Sequence, residues 1–121
     1  MLGVAVEALE EIKAAARPGA ALGELDGIHR RVLDAAGFAG ERYGACGYAL
    51  GCTFKPTWMD VPPMIYLGNP LVLEPGMVFF VHIMIPDTRS GLMAGVGQTF
   101  AIRDRGAPEV FSALPLVLHR R

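Results

Sequence analysis

This 121-residue sequence has little cysteine and almost no net charge. Its two cysteines, Cys46 and Cys52, are too few for the disulfide framework that stands in for a core in small secreted domains. No companion ligands follow their spacing, so small buried thiols are expected rather than a zinc site. Lys and Arg number 11 against 12 Asp and Glu, a formal charge of −1. A chain so balanced has no field to draw nucleic acid or an anionic membrane, and neither is expected as a partner. Long apolar runs are also missing. The longest, Met77 to Ile85, is interrupted by His82 and falls well short of the ~20 residues that span a bilayer. The amino terminus, MLGVAVEALEEIKAAAR, places Glu7, Glu10 and Glu11 ahead of any base, the reverse of a secretory leader. A cytoplasmic location is the expectation. Ser90 and Ser112 lack a nucleophile-elbow context, which leaves a serine hydrolase unsupported.

What the chain does have is apolar material, 52% against 19% charged, enough for one modest globular core. Leu2, Val6, Leu9, Ile12 and Ala16 recur at helical spacing, and Pro18-Gly19 stops that helix. Leu22, Leu25, Ile28, Val32, Leu33 and Ala36 line a second helix, with Gly37 as its exit. Gly27 weakens this helix by roughly 1 kcal/mol, which suggests a close neighbour there. Strands are expected near Gly44–Leu50, Met77–Ile85, Val96–Ile102 and Glu109–Phe111. Met77–Ile85, apolar on both faces, should be central and covered on both sides. Between Thr53 and Pro75 the prolines at 56, 62, 63, 70 and 75 argue for an ordered excursion in place of a central strand. Two helices followed by strands give an α+β class with a mainly antiparallel, curved sheet.

Three blocks, GACGYALG, TFKPTWMDVPP and GNPLVLEPGMVFF, carry a resemblance. With the early ARPG, Glu24, Ala36-Gly37, GQTFAI and the DRG turn, they resemble the creatinase, prolidase and aminopeptidase P family of pita-bread hydrolases, M24 peptidases among them. The resemblance implies that residues 1–121 are the C-terminal portion of a catalytic domain built from two similar halves, with the N-terminal half lacking. It also implies a substituted metal site. Tyr48 stands where metal-dependent members have a ligand His, and His82 where they have a ligand Glu. The next ligand Glu falls at Gly97, or at Gln98 if the alignment slips by one, and a substrate-binding His-Glu pair falls near Lys55 and Pro56. One His cannot hold a catalytic ion, so no metal and no cofactor are expected. The nearest likeness is to metal-independent creatinase-like or ectoine-hydrolase-like members, and the TFKPTWMD segment is more similar to ectoine-hydrolase-like and Xaa-Pro peptidase-like proteins.

The parent protein is accordingly expected to cleave a C–N bond in a small amide, amidine or Xaa-Pro-like substrate, as a homodimer, the fragment alone being inactive. A non-catalytic pita-bread module for binding or assembly is the other reading. His82 is the expected proton carrier, with Tyr48 and Gln98 orienting the substrate carbonyl. A neutral core histidine, a structural aromatic and a structural amide are the plainer alternatives. Trp58 can wall a small cationic ligand, with Lys55 and Asp60 beside it as substrate-binding groups or as solvated loop charges. His29 and His119 have no partner in sequence that suggests chemistry. In an isolated half-domain the face carrying Tyr48, His82 and Gln98 should stand open and favour self-association.

Overall fold

The computed structural model describes residues 1–51 and 59–118, with the side chains of residues 59–63 left aside. Helix α1 spans Leu2–Ala15 and α2 spans Leu22–Ala35. Strands follow at Ala45–Leu50 (β1), Met59–Tyr66 (β2), Val78–Asp87 (β3), Leu92–Ala101 (β4) and Glu109–Val110 (β5). They form one antiparallel sheet in the order β2-β1-β3-β4-β5. Both helices lie on the same face of it, α1 against β3 and β4, α2 against β1 and β2.

The helices form where the apolar period places them, and their ends follow local chemistry. The Glu24 carboxylate accepts a hydrogen bond from the Ala21 N–H at the start of α2, satisfying a donor that helix geometry leaves unpaired. At the other end Gly37 takes φ 84° and lets the Phe38 N–H reach the Leu33 carbonyl at 2.9 Å, a Schellman-type stop. The expected close neighbour at Gly27 is absent, since a Cβ there would meet nothing within 4 Å. The crowded glycine is Gly23, whose added Cβ would lie 2.8 Å from the Asn69 N and 2.9 Å from the Gly68 N. The loop after β2 presses on α2 at this point, and the Leu22 and Gly23 N–H groups donate to the Leu71 and Asn69 carbonyls. Buried Asn69 shapes that loop, donating to the Met64 carbonyl at 2.6 Å and accepting from the Leu71 N–H at 3.0 Å.

β3 is central, as expected, but only one of its faces is covered. Phe79, Val81, Ile83 and Ile85 are fully buried beneath the helices, while Val78, Phe80, His82 and Met84 between them are half-buried. An apolar run on both faces implied two covers, and the described chain supplies one. The core joins Ala5, Ala8, Leu9 and Ile12 of α1 with Leu22, Leu25, Val32 and Leu33 of α2 and the inner face of the sheet. Each large side chain buried there contributes about 1.5–3 kcal/mol.

The Thr53–Pro75 excursion contains a strand the prolines argued against. β2 carries Pro62 and Pro63 and lies at the sheet's edge, where a missing N–H donor leaves no central ladder bond unmade. Where β1 meets β3, Gly47 admits no side chain. A Cβ there would lie 2.8 Å from the Phe80 carbonyl oxygen, 3.2 Å from the Val81 Cα and 3.0 Å from the Ile65 Cδ1. Two of those neighbours are backbone and cannot step aside. Gly47→Ala is therefore expected to destabilise the fold by about 1–3 kcal/mol, read as a lower urea midpoint with an unchanged slope.

Candidate functional site

The sheet face opposite the helices carries an aromatic cluster. Antiparallel register sets Tyr48 of β1 opposite Phe80 of β3, and the period of two brings His82 to the same face. The His82 ring stacks on Phe80 at 5.4 Å between centroids with 13° between planes. Tyr48 meets His82 edge-on at 5.6 Å and Phe80 at 5.6 Å. Directly across from His82 on β4 is Gly97, and the Phe80 ring fills the space a side chain would take, with its Cζ 2.7 Å from where a Cβ would stand.

The imidazole in this setting is held neutral. Burial against the rings, with the charge of His29 behind the sheet as a smaller cause, lowers the His82 pKa from the ordinary 6.5. A neutral imidazole accepts a proton at one nitrogen, the state a general base requires. The same shift bears on stability. Because folded His82 resists protonation, the unfolded chain binds more protons below pH 6.5, and stability falls as pH drops from there toward the depressed folded value. Melting temperatures measured between pH 7.5 and 5.5 should decline less for His82→Gln than for the wild type. Equal declines would show that His82 is not the group responsible.

The structure brings together two of the three residues expected to act on substrate. Gln98 lies opposite Val81 and so belongs to the helix-covered face, where it is 7% exposed. Its amide oxygen accepts a hydrogen bond from the Lys13 Nζ at 2.7 Å, and Lys13 also pairs with Glu10. Gln98 thus ties α1 to β4, and the open face expected to carry it carries Gly97 and Thr99 instead. A slip of one residue moves a strand side chain to the opposite face, and that slip is the difference between Gly97 and Gln98. Lys55 and Trp58 lie outside the described residues, as does His119. Asp60 is in β2, with its side chain outside the description.

A second cluster was missed by the sequence reading. Asp26, His29 and Cys46, all buried, place a carboxylate oxygen, an imidazole nitrogen and the thiol sulfur within 4.8 Å of one another between α2 and β1. The sequence offers His29 no chemical partner, yet Asp26 and His29 share a stripe with Leu22 and Leu33 at helical spacing, and that periodicity marks both as inward-facing. Burial raises the Asp26 carboxyl pKa, but contacts with His29 and the Arg30 guanidinium outweigh it and hold the group below the usual 3.8. Burial, then the nearby Asp26 charge, pushes the Cys46 thiol well up. Among the described residues this is the one place where three His, Cys, Asp or Glu ligand atoms converge. The open face brings His82 and Tyr48 together with aromatic carbon, so its described side chains do not make up a set that holds a catalytic ion.

Residues 1–104 match the model of metallopeptidase family M24. No curated protein matches significantly. Among solved structures, the chain is similar to dipeptidase PepE from Mycobacterium ulcerans, with a TM-score of 0.84 and 24% identity over 97% of this chain and 30% of that one. It is similar to the X-Pro aminopeptidase from Thermotoga maritima, with a TM-score of 0.83 and 19% identity over 96% of this chain and 31% of that one. A third likeness, to the N-terminal domain of a FACT complex subunit from chickpea, Cicer arietinum, has a TM-score of 0.79 and 18% identity over 95% of this chain and 28% of that one. The shared architecture is a partial pita-bread fold, and the chain spans about three tenths of the length of these structures. Among the described residues, no helix is long and apolar enough to cross a membrane.

Proposed function

Because the chain belongs to metallopeptidase family M24, we propose that it forms part of a peptidase-like hydrolase that opens a C–N bond in a small amide, amidine or Xaa-Pro-like substrate without a metal on its open face. The observation that carries this reading is the neutral imidazole of His82, held on the open face between Phe80 and Tyr48. In the proposed reaction His82 takes a proton from a water molecule as its oxygen bonds to the substrate carbon. The Tyr48 hydroxyl donates to the substrate oxygen, and His82 returns the proton to the departing nitrogen as the C–N bond breaks. Lys55, Trp58 and Asp60 belong to the segment proposed to wall the substrate, and a homodimer of the full-length protein is the proposed assembly. Gln98 has no part in the chemistry.

The experiment is a turnover survey of the full-length protein against Xaa-Pro dipeptides, amidines and small amides, with products identified by mass. Cleavage of at least one class, lost in His82→Gln, supports the proposal. A second reading, a binding or assembly module, is favoured by the similarity to a FACT complex subunit and by an open-face cluster made largely of ring carbon. Absence of cleavage across all three classes would overturn the hydrolase reading and leave this one.

A further inference from the structure

We propose that Asp26, His29 and Cys46 bind a thiophilic divalent cation of the Zn²⁺ type between α2 and β1. The site lies on the helix side of the sheet, so the proposal is independent of the chemistry assigned to His82. Three observations carry it. The donor types, one carboxylate oxygen, one imidazole nitrogen and one thiol sulfur, are those that tetrahedral zinc sites draw on. They sit at 0%, 2% and 0% exposure, sheltered from water that would otherwise satisfy them. Asp26 Oδ1 and His29 Nδ1 are buried and face each other without a well-formed hydrogen bond to any group, although buried polar atoms are nearly always paired.

Spacing strengthens the case. Ligand bonds of about 2.1 Å to a tetrahedral ion put neighbouring donor atoms about 3.4 Å apart, and His29 Nδ1 lies 3.4 Å from Asp26 Oδ1. The three ligand atoms fall within 4.8 Å, so the longer metal–sulfur bond needs only a small inward movement of the Cys46 side chain. Arg30 Nε holds Asp26 Oδ2 at 2.5 Å, which turns Oδ1 toward the cluster, as outer partners of metal-binding carboxylates do. On binding, the Cys46 thiol releases its proton to solvent and the sulfur–metal bond forms in its place. The cation would pin α2 to β1, the strand that presents Tyr48 to the opposite face.

The test is refolding of the full-length protein with one equivalent of Co²⁺, whose bond to a thiolate gives a charge-transfer absorption in the near ultraviolet. One cobalt per chain with that absorption is expected, retained in Cys52→Ser and lost in Cys46→Ser along with affinity on the order of 100-fold or more. If Cys46→Ser does not fold, X-ray absorption of the zinc-loaded wild type replaces it, with one sulfur expected at about 2.3 Å. A metal shell of oxygen and nitrogen alone, an absorption that disappears with Cys52, or failure to take up metal would overturn the proposal. The cluster would then be a hydrogen-bonded triad of the core.

Discussion

His82→Gln in the full-length protein is expected to lower kcat by about 10²–10⁴-fold with the fold intact. Glutamine fits the half-buried position and can accept a hydrogen bond, but its amide cannot carry a proton between water and a leaving nitrogen. A wild-type rate profile should fall off in acid with an apparent pKa below 6.5, since burial and then His29 depress that of His82. The variant's residual rate should lack this limb. A decrease in kcat that left the acidic limb in place would assign the proton to another group. Phe80, stacked on the imidazole, positions it, so Phe80→Leu should reduce kcat more modestly and move the limb toward the ordinary histidine value.

Phe79→Ala is expected to have the largest effect on stability, a loss of about 3–5 kcal/mol. The ring is fully buried on the helix side of β3, with Ala49 of β1 and Phe100 of β4 directly opposite in register. Removing it opens a cavity where three central strands meet the helices, and neither the ladder nor the helices can collapse fully into it. For a domain of this size such a loss is a large fraction of total stability. Its neighbour Phe80 faces the open side and is half-buried, so Phe80→Ala should cost less than half as much by the same area argument. Urea denaturation of the two variants side by side checks this. Equal losses would mean that the sheet is covered on both faces in solution.

Much of this architecture is legible in the sequence because periodicity reports burial. The 3.6 period set both helices, and the apolar run around His82 set the central strand. The register between strands was harder to read. The family resemblance puts the next ligand position at Gly97, or at Gln98 on a slip of one residue, while the ladder assigns the two to opposite faces. β2 escaped notice because prolines weigh against a strand unless its edge position is known. Gly27 looked crowded where Gly23 was, since the crowding comes from a loop some 45 residues away in sequence, at Gly68 and Asn69. The Asp26, His29 and Cys46 cluster joins a helix to a strand, so no spacing motif announces it. Its one trace is a pair of polar residues on an apolar stripe. The residue types of β3 imply a cover on both faces, and what covers the open one is a proposal resting on the likeness to longer chains.

The central claim is that the open face works through His82 rather than through a metal. The most direct measurement is turnover by the full-length protein after exhaustive chelation, counted per folded molecule from the melting signal so that loss of any cation between α2 and β1 is not mistaken for loss of chemistry. The account predicts an unchanged rate per folded molecule and no gain on adding Zn²⁺, Mn²⁺ or Co²⁺. Turnover that vanishes while the protein stays folded, and returns with added divalent metal, would contradict it.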